Sequence, residues 1–191
     1  MAANRSKTDG NRTVLILTAM VVLLSLWAEN LPARENAISK PVIAEDADQK
    51  QNKSVAQLYF TDKSNLFLIA EERVLSQTGD PIHFGQAIME ALIKGPAQKL
   101  APTIPQNTTL RALYITEEGT CYVDLSADIR ENHPGGVATE LLTVYSIVNS
   151  LILNIAEIEA VKILIEGQES MTLAGHIDLQ QPFEANMLLI R

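Results

Sequence analysis

Three histidines and one cysteine are the residues of this chain best suited to acid–base, nucleophilic or metal chemistry. His176 and Asp178, in the run Gly175-His-Ile-Asp-Leu179, stand two apart. In an extended segment both face the same side, as a general base and its orienting carboxylate would, or half of a metal site. No nucleophile or third ligand stands at motif spacing, so the pair also reads as a turn cap and a strand-pairing residue. His133 lies in Asn132-His-Pro-Gly-Gly136, where two glycines could turn backbone N–H groups toward an anion. No phosphate-loop Lys-Ser/Thr pair follows, and tight turn geometry accounts for the glycines equally well. Cys121 sits in a strand-like run and would need a histidine beside it in space to act as a nucleophile; it reads as a small buried hydrophobe. Asp124, Asp128 and Glu131 form a short acidic run, sparser than a calcium loop, and read as solvated caps. His83 falls in a first helical turn at the surface. No residue is therefore assigned a catalytic, cofactor-binding or metal-binding role, and no cofactor is expected.

The whole chain bounds what those residues can belong to. Its 191 residues carry 15 Lys+Arg against 23 Asp+Glu, a net charge of −8, with 47% hydrophobic residues and one cysteine. That is one domain plus an appendage; it excludes disorder over most of the length, a disulfide framework and a thiolate metal cluster. Residues 55–191 contain 8 Lys+Arg and 17 Asp+Glu, a balance of −9, so neither nucleic acid nor an anionic lipid surface is an expected partner.

The appendage has the form of an address. Residues 1–12 carry Arg5, Lys7 and Arg12, and residues 13–28 contain an apolar stretch from Val14 to Ala28 interrupted only by Thr18 and Ser25. As a helix the stretch spans about 22 Å, short for a hydrocarbon core of about 30 Å, and suits a signal-peptide core or a thin anchor. Bulky Leu26, Trp27 and Leu31 near its end disfavour signal-peptidase cleavage, and no lipoprotein cysteine follows. The expectation is an uncleaved single-pass anchor in the cytoplasmic membrane, N-terminus inside and domain outside. Residues 29–54, with Pro32, Pro41 and charges of both signs, read as a flexible linker reaching roughly 25–30 Å.

Residues 55–191 show a readable alternation of periods. Val55–Phe60 and Asn65–Ala70, the second continuing toward Leu75, predict a hairpin. Asp80-Pro81 starts a helix whose apolar positions run to Leu92 before Lys94-Gly95-Pro96 stops it. Leu110–Ile115 and Cys121–Leu125 predict a second hairpin with Cys121, Val123 and Leu125 on one face and Tyr122, Asp124 and Ser126 on the other. Tyr59, Phe60, Phe67 and Tyr114 read as core or sheet-face aromatics. After Gly135-Gly136 a long helix keeps its period from Val137 to Ile155, with Leu142, Ile147 and Leu153 as apolar extras, so the helix is either deeply covered or offers a second contact face. Val161–Glu166 predicts a strand, and Ser170–Leu173 with Gly175–Leu179 a closing extended hairpin or arm. The order is ββαββαβ, an α+β two-layer sandwich with two helices on one sheet.

With these segments in order, the chain resembles the GerMN domain, named for spore-germination GerM proteins. The resemblance rests on LYFTD, ALIKGP, TIPQNTTLRAL into CYVDLSADI, GGVATELLTVYSIVNSL, VKILIEGQE and TLAGHIDLQQPF, and covers about Val55 to Phe183. It implies an extracytoplasmic domain of membrane-anchored proteins or lipoproteins, related in fold to the ring-building modules of secretion-like assemblies, with no established catalytic activity. The functional expectation is a membrane-anchored, non-catalytic extracytoplasmic interaction and assembly module of the bacterial cell envelope, GerMN-like and so sporulation- or germination-like in family, binding an envelope protein or a second copy, with cell-wall contact as a further option. The alternative is a small envelope hydrolase or cell-wall ligand-binding protein using His176 and Asp178.

Overall fold

The computed structural model describes residues 52–77 and 79–191. The expected N-terminal anchor and most of the linker lie outside the described residues, among which no helix is long and apolar enough to cross a membrane.

The chain opens with strands β1 (Asn52–Thr61) and β2 (Leu68–Gln77), paired antiparallel in a register that sets Val55 against Val74 and Phe60 against Ile69. Asp62 closes the hairpin loop: its carboxylate accepts the Leu66 N–H and its own N–H donates to the Phe67 carbonyl. Helix α1 (Pro81–Lys94) begins as its sequence dictates. Asp80 accepts the Ile82 N–H at 2.9 Å, Pro81 takes the first turn, and Gly95, at φ +90°, ends it. β3 (Leu110–Ile115) and β4 (Thr120–Leu125) form the second hairpin, with a bulge between Leu110 and Ala112. Cys121, Val123 and Leu125 are all fully buried on one face, as their alternation predicts. A short helix α2 (Asp128–Glu131), which the sequence pattern does not announce, precedes the long α3 (Val137–Ile152). The crossover through them returns β5 (Ala160–Ile165) parallel to β4. Residues 170–179 pair as a minimal hairpin, an antiparallel bridge between Thr172 and Asp178 with Leu173 N–H donating to the Ile177 carbonyl and Leu179 N–H to the Met171 carbonyl, too short for named strands, and a 3-10 turn follows at Met187–Leu189.

The fold is mixed α+β in nearly the expected order, but the strands form two sheets, β1-β2 and β3-β4-β5, where one was expected. The reason lies on α3, whose polar side chains occupy the edge of β1 that a third strand would need. Asn154, two residues past the helix, accepts the Gln57 N–H at 2.9 Å and donates to its carbonyl at 2.8 Å. Ser150 Oγ accepts the Tyr59 N–H at 3.0 Å, and Ser146 Oγ donates to the Tyr59 carbonyl at 2.5 Å. These bonds satisfy backbone groups that burial would otherwise strand at a cost of about 1–3 kcal/mol each.

Of the two readings of α3, the structure shows the deeply covered helix and not a second contact face. Ten of its sixteen residues are buried. Ile147 is fully buried in the main core with Phe60, Ile88, Leu92, Val123 and Ile163, and Leu142 packs against Tyr59 and Leu68 in a smaller cluster. Leu153 alone of the three is exposed, at 40%, and it sits at the helix end. A helix apolar nearly all round is a covered helix, and here the two sheets and the C-terminal segment do the covering. The last residues contribute: Leu189 and Ile190 pack on the Leu142 cluster, and the Arg191 guanidinium lies 4.9 Å over the Phe67 ring.

Candidate functional site

A row of polar side chains at helical spacing runs down α3: Glu140, Thr143, Ser146, and then Asn149 with Ser150, all buried. Together they bind four segments, at residues 174–177, 103, 59 and 186, so the row is where surrounding loops and β1 converge. Asn149 exchanges two hydrogen bonds with the Asn186 backbone, at 2.9 and 3.0 Å.

Glu140 heads the row, fully buried in the first turn of α3. One carboxylate oxygen accepts three backbone N–H groups, from Ala174, His176 and Ile177, at 3.0–3.1 Å. The other accepts the His176 Nδ1–H at 2.6 Å. Gly175, at φ +116°, turns the three amides toward one point, a conformation that side chains rarely adopt. Burial pushes the Glu140 carboxyl up, but the His176 bond and the three amides outweigh it and hold the group down at about 2. The expected partnership of His176 with Asp178 is thus replaced: the carboxylate bound to His176 comes from 36 residues earlier, while Asp178 accepts the Gln180 N–H at 2.8 Å. The His176 side chain is 45% exposed, and its Nε2 bonds to no described residue.

His133, in the loop before α3, meets the row at Thr143. Its Nδ1 accepts the Gly135 N–H at 3.0 Å, which assigns the proton to Nε2 and a bond from there to Thr143 Oγ1, also 3.0 Å. The Thr143 hydroxyl passes on to the Thr103 carbonyl at 2.6 Å. Burial lowers the His133 pKa, against a weaker upward pull from Glu140, which suits a neutral ring. Of the two glycine amides that could have met an anion, that of Gly135 is taken by His133. A cavity of about 270 Å³ adjoins this ring, walled by Pro102, Pro105 and Pro134. Its threonine hydroxyls at 61, 103 and 143 already have hydrogen-bond partners.

The remaining candidates are structural in the same sense. Asp124 accepts the Gly167 N–H at 2.7 Å and Arg111 Nε at 3.1 Å; Asp128 bonds Ser126 and Asn132; and no group of three metal-ligating side chains occurs among the described residues. His83 is exposed and pairs with Asp80. Of the aromatics, Tyr59 and Phe60 are buried and Tyr114 is 59% exposed on the outer sheet face. Burial pushes the Cys121 thiol up to about 12, so a thiol reagent such as DTNB should react at neutral pH only after unfolding. Rapid labelling of the folded protein would contradict that packing.

Sequence reasoning singled out neither of two buried glutamates, Glu140 and Glu71. Glu71, on β2, is 1% exposed and accepts the Ala97 and Gln98 N–H groups at 3.0 and 2.7 Å, with Arg73 at 2.6 Å. These bonds depress its pKa against its burial and fix the loop after α1. One buried hydroxyl, Thr108 Oγ1, has no partner among the described residues. Thr108→Val should therefore raise the unfolding free energy, by about 1 kcal/mol, seen as a higher urea midpoint; a lower midpoint would mean that the hydroxyl is satisfied.

Comparison with known proteins decides the family. The family model Germane, described as sporulation and spore germination, matches residues 57–170. The chain belongs to the Germane family. The Germane match takes in both hairpins, α3 and Glu140, and ends before the Gly175–Ile177 turn that Glu140 holds. Among solved structures, a candidate lipoprotein from Clostridium perfringens is 28% identical, with a TM-score of 0.51 over 70% of this chain and 88% of that one. The first GerMN domain of the Bacillus subtilis sporulation protein GerM is 20% identical, with a TM-score of 0.57 over 69% and 97%. The tandem GerMN domains of the same protein give 20% and 0.57 over 70% of this chain and 46% of that one, so this chain spans about half of the tandem. At that identity the two GerM structures establish the fold alone. No curated protein matches the chain.

Proposed function

We propose that this Germane chain is a non-catalytic interaction module of the bacterial cell envelope, held on the outer side of the cytoplasmic membrane by its N-terminal segment. One observation carries the reading: apart from the outward Nε2 of His176, the buried groups able to do chemistry are spent on holding backbone or sealed in the core. Glu140 secures the turn at 174–177, Glu71 the loop at 97–98, and His133 the turn before α3, while Cys121 is sealed in the core. Such clamps give loops a fixed shape, which suits presentation of a surface to a partner. The basic Arg5, Lys7 and Arg12 before an apolar stretch support the anchor, as does the candidate-lipoprotein relative. The sporulation and germination context of the family supports an envelope process, with an envelope protein or a second copy as partner.

A second reading has one observation in its favour. His176 is oriented by a buried carboxylate and leaves Nε2 outward, the arrangement of a general base. The two readings separate with His176→Asn, whose amide N–H can replace Nδ1–H toward Glu140 but cannot titrate. The module reading expects full complementation of a deletion strain; loss of function in a normally folded variant would favour the base. Topology has its own test. Alkaline phosphatase fused after Arg191 should be active, and an inactive fusion at normal abundance would place the domain inside.

A further inference from the structure

We propose that the groove between α1 and the open edge of β3 binds an extended peptide segment of a partner, one that carries a lysine or arginine opposite Glu90. The inference rests on the reading of the chain as an interaction module and names the kind of partner it takes.

Gln86, Glu90 and Ile93 recur at four and three residues along α1, so they form one stripe, and that stripe lines a groove of about 410 Å³ with residues 108–112 on its other side. A helix stripe facing a strand edge is the shape in which an added strand lies, with main-chain bonds on one side and side-chain contacts on the other. The backbone here is free to accept one. β3 is an edge strand with β4 on a single side, and the bulge leaves Arg111 without a counterpart on β4. No backbone group of residues 110–115 hydrogen-bonds outside its sheet among the described residues. Other edges are closed from within: β1 by the α3 side chains, β5 by Phe183, and the start of β2 by Arg191. β3 is an open edge that also faces a helix-lined groove, where an added strand would gain side-chain contacts as well as main-chain bonds.

The lining supplies the chemistry of the occupant. The Thr108 hydroxyl is the unpartnered buried group noted above, and it lines this groove. The two charged residues of the lining differ in what they have left to offer. Arg111 is engaged by Asp124 at 3.1 Å and Glu166 at 2.8 Å, whereas Glu90 is exposed and makes no hydrogen bond or ion pair among the described residues. The unspent charge of the groove is therefore negative, within a domain already near −9, and it selects a basic side chain. A helical partner would leave the bulge amides unpaired and gain nothing from them.

The test uses the purified full-length chain in detergent micelles and a fluorescein-labelled peptide, Gly-Thr-Val-Lys-Val-Thr-amide, read by anisotropy. Saturable binding is expected, weakened about tenfold or more when alternate peptide amides are N-methylated. Glu90→Lys should weaken binding about fivefold and restore it toward a probe with glutamate in place of the lysine; Thr108→Val should also weaken the original probe. Because Glu90 is exposed, its variant should melt with the wild type. No saturable binding up to millimolar probe, or binding that either N-methylation or Glu90→Lys leaves unaltered, overturns the proposal. If the probes fail while the chain still retains an envelope protein after cross-linking, the groove assignment falls and the module reading stands.

Discussion

Glu140→Ala is expected to destabilise the domain by about 3–5 kcal/mol at pH 7, because the substitution leaves the amides of Ala174, His176 and Ile177 facing an empty, buried space. The more diagnostic variant is Glu140→Gln, which keeps the shape and removes the charge. The Glu140 carboxyl is held at about 2 in the fold, against an ordinary 4.5. A depressed folded-state pKa contributes stability that is complete above the unfolded value and is lost as pH falls through the folded one. The stability gap between wild type and Glu140→Gln should therefore be about 3 kcal/mol above pH 5 and should close between about pH 4.5 and 2. Glu71 shifts in the same direction, so total acid sensitivity has at least two sources, and only the difference between the two proteins isolates Glu140. Urea unfolding across that range is the measurement. A gap that stays constant with pH would show that the charge at Glu140 is not what holds the 174–177 turn.

Ile147→Ala is expected to cost about 2–5 kcal/mol, the transfer free energy of the lost atoms plus the cavity left in the main core. Had α3 carried a free contact face at this position, the same substitution would leave the domain's stability almost unchanged and impair association alone. Leu142→Ala should destabilise in the same way, through the smaller cluster with Tyr59 and Leu68. Both effects would appear as a lower urea midpoint. Unaltered stability in the two variants would return Leu142 and Ile147 to the surface and contradict the packing described above.

The parts of the fold that local chemistry determines were legible in the sequence. Asp80-Pro81 and Gly95 bound α1, Gly119 marks the second hairpin, and the Cys121–Val123–Leu125 alternation identifies the buried face of β4. What was not legible depends on partners far along the chain. Two sheets arise in place of one because Ser146, Ser150 and Asn154 reach Gln57 and Tyr59 across roughly ninety residues of sequence. A signal for this existed: Glu140, Thr143, Ser146 and Asn149 repeat every third residue in an otherwise apolar helix. Polar residues in such a row belong to a buried network, and the apolar residues around them to a covered helix. The His176–Asp178 spacing pointed to the right histidine and the wrong carboxylate. A spacing of two shows only which residues could share a side of a strand, and residues 170–179 form no regular strand.

The central claim is that the chain is an anchored, partner-binding module, and gentle cross-linking of membranes bearing the full-length protein tests it most directly. Mass spectrometry of the purified product should read both the N-terminal peptide and the attached protein. The account predicts an intact peptide containing Arg12 and the Val14–Ala28 stretch, together with the same envelope protein or a second copy in every preparation. A chain cut after that stretch and recovered soluble without a partner would contradict it.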